Sequence, residues 1–375
     1  MSMSLRGEVG AGAADSPAVA SATSGLGPGS SSGTGGTDGL TPMKPDTTIR
    51  QVLRAWTRVG GLMGAIVVCA IVFDSLNSAF LGTSNILTIF KTTSSLAIVA
   101  LGEMVVLLVG EIDLSVGSLY GLGAMVTGLL WVHGAPFELA CVAGLATGFG
   151  GGVINGLVTT YLGVNSFITT LGMLNLAEGI TFLVSNSSSV NPNVSSSGYL
   201  VFAAFGQDEL FGHVPVQIVW LIGIALVMYV VVHRSMFGFK SAAIGGNGIA
   251  AKVAGLPVRR YKVIAFGLSG LLAVLGGIIA FSLVGATSPT SGASLPFTVF
   301  AAVIIGGASL SGGRGTVWGT FFGALFLTLI SNGLSLLGYG PYVQLIFVGV
   351  VIVVAVAIDR WTSGSRNRQS AEVQW

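Results

Sequence analysis

From Gly60 onward the chain alternates long apolar runs with short polar breaks, and this alternation dominates the pattern. The runs extend over Gly60–Phe80, Leu96–Val109, Leu114–Val132, Leu139–Tyr161 and Phe167–Val184, then, after a polar stretch, Pro215–Val232. Val263–Val284, Pro296–Ile305, Val317–Leu337 and Pro341–Ile358 complete the series. A hydrocarbon core about 30 Å thick asks for roughly 20 apolar residues per helix. The pattern therefore predicts an all-α, polytopic transmembrane bundle of about ten spans, with the short runs near residues 100 and 300 as candidate half-length helices. Pro136, Pro192, Pro215, Pro257, Pro289, Pro296 and Pro341 fall at or between run ends. Proline is tolerated in a first helical turn and breaks interiors, so this placement supports the segmentation.

Composition agrees with this reading. Of 375 residues 52% are hydrophobic and 8% charged, against about 25% charged in an ordinary soluble domain. Residues 1–48, rich in Gly, Ser, Ala, Thr and Pro, cannot bury enough surface to offset chain entropy and are expected to form a disordered tail. The transmembrane domain is then 49–362, with a short tail over 363–375. Cys69 and Cys141 both lie in apolar runs, and no spacing suggests a metal site or a disulfide framework.

The basic residues set the orientation. Short cytoplasmic loops accumulate Lys and Arg; Lys44, Arg50, Arg54 and Arg58 precede the first run, and Arg360, Arg366 and Arg368 follow the last. Both termini are expected on the cytoplasmic side of the inner membrane. The segment 234–262 carries Arg234, Lys240, Lys252, Arg259, Arg260 and Lys262 with no acid, and belongs on the same side. Ser185–Val214 has no basic residue, carries Asp208 and Glu209, and should face outward. Lys91 is discordant, because it falls near the outer side.

Gly144, Gly148, Gly152 and Gly156 recur every fourth residue on one helical face. Small residues let helix backbones approach closely in lipid, so this is read as a packing ladder, with a narrow path beside it as the alternative. Gly319 and Gly323 repeat the pattern once. Glu103, Glu111, Asp113 and Glu178 lie in or at the edge of apolar runs, where charge is costly unless paired or hydrated. Asp113 and Ser115 can cap the helix that follows them, and a broken helix capped by an acid is one way to hold polar backbone at depth. Capping and direct contact with solute both remain open for these residues.

Glu111–Ser118 resembles the G-x-I-D-L-S-V-G-S signature of permease subunits in ribose- and xylose-type ABC importers. Ile244-Gly245-Gly246-Asn247 with Ala250, Ala251 and Gly255 is similar to the same family, as are Ala301–Gly315 and Asn155-Gly156 with Phe167–Gly172. The likeness runs in order from Asn85 to Asp359. It implies a monosaccharide permease acting with a cytoplasmic ATPase subunit, an extracytoplasmic sugar-binding protein and a second permease copy. The chain itself would bind no cofactor, the ATPase would use ATP and Mg, and no nucleic-acid partner is expected. On this reading Glu111, Asp113, Ser115, Asn155, Thr170 and Asn175 lie at the translocation path or broken helix. Asn247, Ile249, Ala250, Ala251, Val253 and Gly255 form a coupling helix within 234–262, with packing back on the membrane domain as its alternative. Two departures stand out: Gly248 and Ile249 replace an acid usual in the family, and Glu103 replaces an apolar, amide or small polar residue.

A P-loop needs Gly-Lys-Ser or Gly-Lys-Thr to hold phosphates, and no lysine here follows a glycine. Energy must come from another polypeptide or an ion gradient. The ion-gradient alternative would use Glu103 and Glu178 as proton relays. An intramembrane protease is the remaining rival, resting on Gly267-Leu268-Ser269-Gly270; its serine needs an oriented base, while His133, His213 and His233 lie at run ends.

Overall fold

Each apolar run becomes a helix in the computed structural model, which describes residues 46–193 and 196–372, with side chains described only between 60 and 357. The expected N-terminal tail, 1–48, lies almost wholly outside the described residues, whereas 363–372 of the expected C-terminal tail continue the last helix and only 373–375 lie outside. The membrane unit comprises α1 (Asp46–Leu76), α2 (Thr83–Leu108), α3 (Val116–Val132), α4 (Phe137–Tyr161), α5 (Ser166–Val184), α6 (Tyr199–Gly206) and α7 (Val216–Tyr229). It continues with α8 (Met236–Gly246), α9 (Gly248–Val253), α10 (Val258–Val284), α11 (Leu295–Ile305), α12 (Val317–Leu336) and α13 (Pro341–Glu372). A π-helical turn, Val230–Arg234, extends α7. Among the described residues six helices are long and apolar enough to cross a membrane, and four shorter apolar helices accompany them.

Two expectations need correction. The run near residue 100 is not a half-helix: α2 begins at Thr83 and is full length. Its polar stretch stays helical because hydroxyls satisfy themselves on carbonyls, Thr92 and Ser94 within the helix and Ser95 on Gly276 O at 3.0 Å. The run near residue 300 is short as expected; α11, at 11 residues, is about 16 Å long, half a hydrocarbon core. The polar stretch 185–214 also holds more structure than a loop. Gly198 at φ 81° starts α6, whose Phe202 is buried with Trp131, Phe137 and Phe281 in an aromatic cluster. A two-residue hairpin, Glu209–Leu210 with Val214–Pro215, follows it.

That hairpin resolves Lys91: its Nζ lies 3.5 Å from Glu209 Oε1, so the discordant cation has an anion at its own end of the bundle. α2 and α10 form the centre, α2 being buried on all sides from Thr93 to Leu108. The glycine ladder of α4 explains how α10 comes so near. A Cβ at Gly148 would meet Gly270 O, one at Gly152 would meet Phe266 O, and one at Gly156 would meet Val263 Cα. Gly144 stands likewise against Gly123 and Thr127 of α3. Backbone fills this face, which leaves no channel along it. Gly319 and Gly323 seat α12 against Gly306 and Ala302 in the same manner.

Candidate functional site

α2 ends in a left-handed turn that favours glycine, Gly110 at φ 81°. The chain then crosses to α3 through Glu111–Leu114 without helical bonds, and its polar groups are tied by side chains. Glu103, fully buried five residues before the end of α2, accepts from Asp113 N at 3.2 Å through Oε1. Asp113 Oδ1 accepts from Ser115 N at 3.0 Å and from Ser115 Oγ at 2.6 Å. Asn155 of α4 donates from Nδ2 to Ser115 Oγ at 2.8 Å. Glu111 at the edge is ion-paired with Lys262 of α10.

The expected capping is thus half right in its geometry. Ser115 occupies the N-cap position of α3 but its hydroxyl makes no cap bond; it is spent on Asp113. The carboxylate of Asp113 instead holds the Ser115 N–H at the helix entry. Glu103, Asp113, Ser115 and Asn155 form one knot, in which Glu103 Oε2, Asp113 Oδ2 and Asn155 Oδ1 remain unpaired. Ser269 of α10 lies beside Asp113 with its backbone packed on Gly102. Sequence reasoning placed Ser269 only in a nucleophile pattern; its flanking Gly267 and Gly270 serve close contact with α4. His233 Nε2 accepts from Val317 N, His133 Nδ1 meets Leu129 O, and His213 is exposed beside the 209–215 hairpin, so among the described residues no histidine orients Ser269.

Three of the expected path residues are not brought into the knot, Glu111 being paired with Lys262 at its edge. Thr170 is buried in α5 and donates to Ser166 O at 2.8 Å. Asn175 is exposed on the outer face of α5, with Nδ2 on Leu171 O at 3.0 Å.

At the basic end, Ser235 caps α8 through Phe237 N. Asn247 caps α9 by accepting from Ala250 N at 2.9 Å, and Gly255 stops the segment at φ 77°. Ala251 is buried, while Ile249 and Val253 are 82% and 85% exposed, so the chain's own membrane domain does not cover them. α8 in turn touches both polar turns of the bundle. Gly245 packs on Leu108 O and Gly313 N, Gly312 packs on Gly245 and Gly110, and Gly313 N donates to Leu108 O at 3.1 Å.

A helical bundle of this length, with six long apolar helices among the described residues and a broken helix that buries acids, is a polytopic membrane protein. The chain belongs to the family described as branched-chain amino acid transport system / permease component, whose pattern matches residues 85–356. It is 36% identical over 312 residues to the ribose import permease protein RbsC of Escherichia coli K12, spanning 83% of this chain and 96% of that one. It is 36% identical over 304 residues to RbsC of Bacillus subtilis (81% and 92%). The D-allose transport system permease protein AlsC of Escherichia coli K12 is 34% identical over 311 residues (82% and 93%). No solved structure matches.

Proposed function

We propose that the chain is the membrane-spanning subunit of an ATP-driven monosaccharide importer of the cytoplasmic membrane. Full-length similarity to ribose and allose permeases supports the sugar class over the amino acids in the family description. The observation that carries the partnership is α9: two large apolar side chains on one face, Ile249 and Val253, stand exposed beside basic residues at the end where α8 touches both polar turns. Such a face has reason to exist where another protein covers it. A separate cytoplasmic ATPase, using ATP and Mg, would press on Asn247–Gly255 and move the turns through Gly245. Both termini share its side of the membrane.

An extracytoplasmic binding protein would dock at the end formed by 185–214 and release sugar to a path bordered by Glu111, Asp113, Ser115, Asn155 and Thr170. The exposed Asn175 supports a second permease copy, since an amide facing lipid is costly. Beside it a Cβ at Gly172 or Gly179 would meet nothing, so that face has room for a neighbouring helix.

The test is reconstitution in liposomes with the ATPase and binding protein encoded beside this chain, offering ribose, D-allose and fructose. Uptake should require ATP and survive collapse of the ion gradients; uptake that follows the membrane potential without ATP overturns the proposal. Ile249→Asp with Val253→Asp should insert normally yet lose the ATPase on purification, because it places charge against an apolar groove. Retention of the ATPase with normal coupling would refute the role of α9.

A further inference from the structure

Glu178 has no hydrogen bond or ion pair among the described residues, although Glu111 and Glu209 both have cations and Glu103 and Asp113 accept from backbone. It lies six residues before the end of α5, about 9 Å below that end, and is only partly exposed. A carboxylate at that depth needs water or donors around it. It faces a small groove between α3, α5 and the segment that leads into α11, lined also by Ser118, Thr181, Thr290 and Ser291.

The hydrogen bonds of this lining decide what can enter. Ser118 Oγ donates to Ser115 O at 3.0 Å and Thr181 Oγ1 to Ala177 O at 2.7 Å. Each hydroxyl has one proton, so both present only lone pairs to the groove. Ser291 Oγ already accepts from Ser288 N at 3.0 Å. The wall is fixed, because Gly117 and Gly121 let the backbone of Gly292 and Ser291 lie directly on α3. Thr290 Oγ1 and Ser291 Oγ lie 3.1 and 3.3 Å from Ser288 Oγ and share protons with it, and Leu174, Pro289, Ala293 and Pro296 make the rest of the lining apolar. The α3–α5 side of this rigid groove, a carboxylate with two hydroxyl lone pairs, takes a ligand that brings donors. Its space of about 20 Å³ admits one hydroxyl and no ring.

We propose that Glu178, with Ser118 and Thr181, forms an outer subsite that receives a hydroxyl edge of the incoming sugar before it reaches the knot around Asp113. This rests on the transport reading above. Ser118 joins the two places: its bond to Ser115 O links the groove to the residue that Asp113 and Asn155 hold. The contact is a passing one, which suits a path that must not retain its cargo.

The experiment uses the permease in liposomes with its ATPase and binding protein, and ribose, D-allose, fructose and their singly deoxygenated analogues as probes. Glu178→Ala should raise the KM for uptake about tenfold or more, the usual worth of a hydrogen bond to a charged group, with normal insertion and basal ATP hydrolysis. Glu178→Gln, which keeps an acceptor, should fall between. One deoxy analogue should lose its disadvantage in Glu178→Ala, because the missing hydroxyl and the missing carboxylate are the same contact. Thr181→Val, whose hydroxyl bonds only within α5, should raise KM modestly and serves if Glu178→Ala inserts poorly. Unchanged KM in Glu178→Gln and Thr181→Val, or an equal penalty for every deoxy analogue in wild type and variant, overturns the subsite. If wild type itself shows no ATP-dependent uptake of any sugar, the transport reading fails instead.

Discussion

Asp113→Ala separates a structural carboxylate from one that reads the solute. The side chain accepts two bonds through one oxygen, from Ser115 N at 3.0 Å and Ser115 Oγ at 2.6 Å. Removal leaves two buried donors, each costing about 1–3 kcal/mol if unpaired. The hydroxyl has a refuge, because Asn155 Oδ1 is an unpaired acceptor on the residue already bonded to it; the backbone N–H has none. Relief follows from removing a carboxylate from a dry site, where an imperfectly paired charge is itself costly. The net loss should then be about 2–4 kcal/mol, and it falls on the entry of α3. Asp113→Asn keeps an acceptor for Ser115 N and should lose about 1 kcal/mol or less.

Melting of the purified protein in detergent and its abundance in the membrane measure the first effect; the order of preference among sugars in liposomes measures the second. The alanine variant should melt clearly lower and accumulate less, with the sugar order unchanged in what remains. The asparagine variant should approach wild type in both. Normal melting of the alanine variant with an altered sugar order would refute the structural role and make Asp113 a direct ligand.

Cysteine placed at the exposed Ser189 should react with a membrane-impermeant reagent in intact cells, whereas Gly248→Cys should react only after permeabilisation; the reverse pattern overturns the orientation. Gly152→Leu should cost more than the about 1–3 kcal/mol of ordinary overpacking, because the new Cβ meets the Phe266 carbonyl and not a movable side chain. Membrane abundance should fall sharply, and wild-type abundance would show that α4 and α10 do not need their close approach.

The spans were legible because lipid imposes a length on apolar runs, and Gly148, Gly152 and Gly156 announced their face because close backbone approach tolerates little else there. Asn247 and Gly255 were readable as caps for the same local reason, one bond and one positive φ within α9's own neighbourhood. What stayed hidden depends on distant partners. The start of α2 was obscured because Lys91–Ser95 reads as a break until their hydroxyls are seen on carbonyls and Lys91 on Glu209, a residue 118 positions away. The place of Ser269 stayed hidden because nothing in Gly267–Gly270 says that Asp113 lies alongside. The same distinction applies to the site itself. Motif residues 111–118 mark where the helix breaks, but the Glu103 that holds the break comes from the preceding helix and departs from the usual residue there. Because Glu103 meets the backbone N–H of Asp113 and not its side chain, the bond asks only for an acceptor at 103, and an amide there would hold the turn as well. A carboxyl in place of an amide at 103 is therefore not required for folding the turn.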